Sequence, residues 1–255
     1  MKTIAAFLLA CALPTLAWSA CSKPMSVAVE DWPPYSQIDA QGRPAGLDIE
    51  LLQAIFREAG CTLVFHQDIP RQRRHLMHKE GQLDVLFAAS PTPERQRYSW
   101  FTVAYRPETI GLFARADDAA RFAGIRSFSD VLSRRIGLLA PNSGWYGDDY
   151  GRYLADMKAS GLVQHFETFD QGIRMLKANR ADLILGDVGA IVYEAQRVVR
   201  TPVKQLGFVP NQAPVHLMLS KASVSEADLR TVDAAIRRLE ANGTLKRLRA
   251  RYGLN

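Results

Sequence analysis

After its first dozen residues the sequence has no apolar run long enough to cross a bilayer, which takes about 20 residues. It also lacks the Gly-Lys-Ser/Thr loop that cradles phosphates, the zinc-protease motif and any Cys-x-x-Cys pair. No compelling Ser/His/Asp order offers a nucleophilic triad. Cysteine is scarce, with 3 among 255 residues. The basic residues do not interleave with aromatics, so a nucleic-acid partner is not expected. His75 and His78 are three apart on a presumed helix, but no third ligand is evident. Arg73, Arg74 and Lys79 beside them would repel a cation, so neither a metal nor a cofactor is expected.

What is present is an ordinary globular composition, 47% hydrophobic and 23% charged. The net charge of +6 modestly favours anionic partners. Lys2, the apolar run Ile4 to Ala12, Pro14 and the small residues Ala17 and Ser19 read as a signal peptide over residues 1–19. The chain is then exported to the periplasm. Cys11 leaves with the signal, and Cys21 and Cys61 remain as an even pair in an oxidising compartment, where a disulfide is expected. Ser19-Ala20-Cys21 also allows lipidation at Cys21, which would preclude that bridge.

The chain alternates strands and helices. Met25, Val27 and Val29 mark a strand, and Leu47, Leu51, Leu52, Ile55, Phe56 and Ala59 recur at helical spacing. Asp48 and Glu50 fall in that helix's first turn, where the dipole favours acids. A strand over 61–67, a helix over 71–80 and a near-continuous apolar strand over 83–89 complete a β-α-β-α-β series. A second α/β unit runs from residue 136 to about 198. Thr109–Arg115 and residues 207–215 read as extended crossings between the units, and a helical tail covers 225–252. This pattern predicts an α/β protein with two lobes around a cleft, rather than one doubly wound sheet. Residues 20–108 with 214–255 form lobe 1, and 109–213 form lobe 2 with the hinge segments. Ligands bind beyond the carboxyl ends of such strands.

Ala89-Ser90-Pro91-Thr92-Pro93-Glu94-Arg95 follows the buried strand. By itself it reads either as a helix start capped by Thr92 or as a carboxylate grip through the planar Arg95 fork. With Phe101-Thr102 and Tyr105, the segment resembles the family-3 extracellular solute-binding proteins, the polar amino-acid-binding branch. Five further stretches fit the family in order: Trp32-Pro33-Pro34-Tyr35, Gly46 to Leu52, Gly81-Gln82-Leu83-Asp84, Arg135-Ile136-Gly137-Leu138 and Leu183 to Asp187. The resemblance covers residues 24–252 and implies a two-lobed, type II periplasmic-binding-protein-like fold. It also implies a monomer without enzymatic activity that delivers a small amino-acid-like ligand to an ABC permease.

The resemblance also implies site roles. Arg95 would grip the ligand α-carboxylate with Ser90 beside it. Asp187, on the other lobe, would receive the α-ammonium, unless it only caps the helix that follows. Trp32 and Tyr35 would form aromatic walls, while Asn142 and Ser143 would add donors. Arg71 falls where amino-acid binders commonly carry an aromatic. It is read as a surface arginine, or else as a positive charge favouring an acidic ligand. Enzymes also occur on this fold, and Glu30, Asp31, His66 and His165 are the candidate acids and bases. A detached ligand sensor is the third reading.

Overall fold

A computed structural model describes residues 20–253, so the signal-peptide reading of residues 1–19 lies outside it. The strands are β1 (Met25–Ala28), β2 (Gln37–Ile38), β3 (Pro44–Ala45), β4 (Leu63–His66), β5 (Val85–Ala89), β6 (Ser99–Phe101), β7 (Arg106–Arg115), β8 (Leu138–Pro141), β9 (Val163–Phe166), β10 (Leu183–Asp187), β11 (Val203–Gln205) and β12 (Asn211–Ser220). The α-helices are α1 (Leu47–Glu58), α2 (Arg71–Lys79), α3 (Pro93–Gln96), α4 (Phe128–Ser133), α5 (Asp148–Ala159), α6 (Phe169–Lys177), α7 (Val188–Glu194), α8 (Glu226–Ala241) and α9 (Thr244–Arg251).

The strands follow the order β4-β1-β5-β12-β7-β10-β8-β9. In the first half, β4, β1 and β5 are parallel, with β12 antiparallel beside β5. In the second half, β10, β8 and β9 are parallel, with β7 antiparallel beside β10. The halves meet where Asn211–Val215 of β12 pairs with Arg106–Ile110 of β7. Two long strands therefore cross side by side from one half to the other. The fold is the two-lobed, periplasmic-binding-protein-like α/β architecture.

Apolar periodicity builds both halves. On α1, Leu47, Leu51, Leu52, Ile55 and Phe56 are buried against the strands and α8. The same cluster continues through Phe113 to Phe166, Ile173 and Ile191 of the second half. A second cluster, with Leu112, Phe128, Leu138, Leu183 and Leu185, fills the opposite face there. Gly46 has φ +111°, and a Cβ on it would come 2.5 Å from the Tyr35 carbonyl oxygen, so glycine lets the preceding loop fold onto the start of α1. Among the described residues no helix is long and apolar enough to cross a membrane.

The Cys21–Cys61 disulfide expected from the cysteine count is present, with Cα atoms 5.2 Å apart. It ties the first described residues to the segment leading into β4.

Candidate functional site: a closed cavity between the lobes

The carboxyl ends of β1, β5, β8 and β10 converge on one cavity of about 80 Å³. That volume holds several waters, since a single one needs roughly 10–15 Å³. Glu30 and Trp32 reach it from the loop after β1, and Ala88, Ala89 and Ser90 from the end of β5. Arg95 enters from α3, Ser143 and Tyr146 from the loop after β8, and Asp187 from the end of β10.

Arg95 donates from Nη1 to the Ser90 carbonyl oxygen at 3.0 Å, while Thr92 caps α3 by accepting from the Arg95 N–H. The capped-turn reading is thus realised, and the turn places Arg95 on the cavity lining. At Ala88 the backbone has φ +50°, a left-handed conformation that costs a non-glycine residue energy. The pairing of β5 with β12 shifts register beside it. The Tyr105 hydroxyl accepts from the Ala88 N–H at 3.0 Å and helps to hold this kink at the cavity wall.

Asp187 is 3% exposed and caps α7, its Oδ1 accepting from the Ala190 N–H at 2.9 Å. The Tyr35 hydroxyl also lies near this carboxylate. That contact needs a glycine at position 189, where a Cβ would lie 2.3 Å from the Tyr35 oxygen. Burial raises the Asp187 pKa against the opposing pull of Arg106. Asp187 therefore caps the helix and faces the cavity at once.

Trp32 lines the cavity, and its Nε1 has no hydrogen-bond partner among the described residues. Tyr35 sits behind it, ring centroids 4.7 Å apart, and outside the lining. Of the two aromatics expected as walls, Trp32 is thus on the lining and Tyr35 is packed behind it. Ser143 lines the cavity with an unpartnered hydroxyl, whereas Asn142 lies outside it and its side-chain amide donates to Glu167.

Several lining residues were not expected. Arg71 is not a surface arginine: it lines the cavity beside Arg74, with Tyr146 of the second half also on the lining. Glu30 faces both guanidiniums, at 2.9 Å from Arg74 Nη1 and 3.5 Å from Arg71 Nε. His75 also lines the cavity. Burial, then the charge of Arg95, pushes its pKa down to about 4, so it is neutral at pH 7. His78 bonds to the Ser99 hydroxyl at 2.8 Å. Among the described residues no group of three His, Cys, Asp or Glu side chains can hold a metal.

Glu108, on β7, had no sequence role. It is 8% exposed and lines the cavity near Asp187. Beneath it lies a buried ion pair of Arg106 with Asp48, Nε to Oδ1 at 2.7 Å and Nη2 to Oδ2 at 2.9 Å. The visible signal for both is the run Tyr105-Arg106-Pro107-Glu108, which puts two charges at the start of an otherwise apolar strand.

The profile of the bacterial extracellular solute-binding proteins, family 3, matches residues 25–255. The chain belongs to this family. Among curated relatives, the arginine-binding periplasmic protein of Mannheimia haemolytica is 23% identical over 77% of this chain and 74% of its own length. The membrane-bound lytic murein transglycosylase F of Ectopseudomonas mendocina (strain ymp) is 25% identical over 86% of this chain, which spans only 44% of that protein. Among solved structures, a histidine kinase sensor domain with similarity to periplasmic binding proteins superposes with a TM-score of 0.76, at 21% identity. That match covers 91% of this chain and 96% of the other. In this family member, then, the two halves of the fold border a cavity lined by several charged side chains.

The cavity carries a pH signature. Burial pushes the Glu108 carboxyl up to about 8, Arg106 opposing the rise and Asp187 and Asp48 adding to it; Arg71 also opposes it. An ordinary glutamate titrates near 4.3. The folded state therefore holds its proton more tightly than the unfolded state does. The stabilisation from this group is complete below about pH 4 and is lost as pH rises through about 8. Thermal melting of the ligand-free protein at steps between pH 5 and 9 is expected to show this decline. His75 and His78, with pKa values pushed down to about 4 by burial, add an opposite slope below about pH 6.5, so the decline is read between pH 7 and 9. Glu108→Gln should flatten it there, and an unchanged slope would remove Glu108 as its source.

Proposed function

We propose that this chain is a periplasmic binding component that captures a small amino-acid-type zwitterion by hinge closure and passes it to an ABC-type permease. Residues 20–108 with 214–255 form one lobe and 109–213 the other; residues 1–19 are the export signal, and the protein acts as a monomer without turnover. Arg95 takes the α-carboxylate with Ser90 and Ser143 nearby, Trp32 covers the ligand, and Asp187 takes the α-ammonium.

The observation that carries this reading is that Arg95 and Asp187, from opposite lobes, border the same cavity. A zwitterion satisfies both only when the lobes are shut, which supplies the differential affinity that closure requires. Against an enzyme, Glu30, the best-placed acid or base, is committed to Arg71 and Arg74. The relatives fit as well, since the Mannheimia protein is named for binding arginine.

The test is mass spectrometry of ligand released from the purified mature protein, followed by thermal shift and calorimetry with that ligand. Arg95→Ala is expected to weaken binding by at least about 30-fold, because truncating one side of a desolvated charge pair costs about 2 kcal/mol or more. Retention of the same ligand at full strength by that variant, or conversion of the ligand on incubation, would overturn the proposal.

A further inference from the structure

Resting on the zwitterion reading, we infer that the ligand carries a second anionic group, as an acidic amino acid does, and that Arg71 and Arg74 receive it. The two arginines lie one turn apart on α2 and share the cavity with Arg95. Arg95 has no carboxylate partner among the described residues; its fork donates only to the Ser90 carbonyl oxygen and is free for the α-carboxylate. Arg71 and Arg74 have one carboxylate between them, Glu30.

That sharing is incomplete. Arg74 is only 6% exposed, yet its Nε and Nη1 make no directed hydrogen bond among the described residues. Nη1 approaches Glu30 Oε1 at 2.9 Å off the bonding axis, so the contact neutralises charge without filling the donors. Each guanidinium offers five N–H donors, far more than one carboxylate saturates. Buried donors of this kind call for an acceptor from the ligand. Trp32 Nε1 and the Ser143 hydroxyl, also buried, unpartnered and at the cavity, can donate as well. An ionised carboxylate is the ligand group that only accepts.

The charge balance points the same way. Three guanidiniums share the cavity with the carboxyl groups of Glu30, Asp187 and Glu108. Glu108 keeps its proton, His75 is neutral, and Arg106 is matched by Asp48. A neutral zwitterion would leave one positive charge uncompensated in the shut cavity, and a ligand of net charge −1 cancels it. A lysine or arginine side chain would add to the excess unless Glu108 ionised to meet it.

Isothermal calorimetry separates these cases, with L-glutamate, L-aspartate, their amides, L-arginine, L-lysine and succinate offered to the wild type, to Arg71→Gln and to Arg95→Ala. The expected result is a preference of roughly tenfold or more for an acidic amino acid over its amide, as charge-assisted bonds replace neutral ones. Arg71→Gln should lower that acid-to-amide ratio several-fold within the variant, whatever its overall affinity. Tighter binding of arginine or lysine than of glutamate and aspartate, or an acid-to-amide ratio unchanged in Arg71→Gln, overturns the inference and leaves the zwitterion reading intact. Binding of succinate alone would overturn the zwitterion reading but uphold the anionic subsite; binding of none of these would overturn both.

Discussion

Asp48→Ala is expected to cost about 3–5 kcal/mol of folding stability, the usual penalty for removing one partner of a buried ion pair. For a chain of this size that lowers the melting temperature by on the order of 10 °C. The reason lies in what surrounds Arg106. Its side chain and that of Asp48 are both fully buried, and the guanidinium lies 4.4 Å from the centre of the Tyr35 ring. Asp48 accepts two bonds from that guanidinium and a third, at 2.9 Å, from the Tyr105 hydroxyl. Without the carboxylate, a cation is left in a dry aromatic box, with Glu108 3.9 Å away as the nearest replacement. Glu108 should then ionise more readily, because Asp48 is one of the charges that raises its pKa. Urea unfolding of Asp48→Leu, Arg106→Met and the double variant Asp48→Leu/Arg106→Met forms the cycle, with Asp48→Ala measured beside it. The double variant should recover much of the loss, since an apolar replacement of both partners is tolerated better than a stranded charge. A cost below about 1 kcal/mol for Asp48→Ala would mean that the pair does not hold α1 to the crossing strand.

The same pair shows what a sequence reveals and what it conceals. The periodicity over Leu47 to Ala59 anticipates α1 (Leu47–Glu58), because burial of one helix face is a local pattern. The apolar run ending at Ala89 anticipates β5, and residues 71–80 anticipate α2. Asp48, however, reads as an acid suited to the helix dipole. Its true partner is 58 residues away, and no local spacing encodes that contact. Arg71 and Arg74 fail for a sharper reason. Amphipathic logic turns apolar residues inward, but α2 turns its cationic face into the cavity and leaves Leu76 55% exposed. A binding site inverts the rule by which helices are oriented. Between residues 116 and 135 the sequence suggested no element, yet a 3₁₀ turn (Ala116–Phe122) and α4 occupy it. There the signal was available: Ser127 and Asp130 make a capping box at the start of α4. Arg95, Asp187, Trp32, Ser90 and Ser143 are named by the family resemblance, and each lies at or beyond a strand's carboxyl end, on the cavity lining.

Loss of the Cys21–Cys61 bridge is expected to cost about 4 kcal/mol, the chain-entropy value for a closed loop of this length. The two cysteines are 40 residues apart, and the loop between them contains β1, the β2–β3 hairpin and α1. Unfolding with the bridge intact leaves those elements tethered, which limits the entropy that the unfolded state gains. The segment it anchors is also bonded elsewhere: Ser22 donates through its N–H and its hydroxyl to Asp228 at the start of α8, and Lys23 pairs with Asp84 at 2.6 Å. These contacts depend on the segment being held near β4, so part of their stabilisation disappears with the bridge. Cys21→Ser/Cys61→Ser, rather than a single replacement, avoids a stray thiol. The double variant should unfold at lower urea than the wild type, and reductant should shift the wild type towards it. Its ligand affinity should not change, because neither cysteine borders the cavity. Intact mass of the mature protein decides between bridge and lipid, since a lipid on Cys21 adds hundreds of daltons whereas the bridge removes two hydrogens. Melting that is indifferent to reductant, in protein of unlipidated mass, would show that the bridge contributes nothing to the fold's stability.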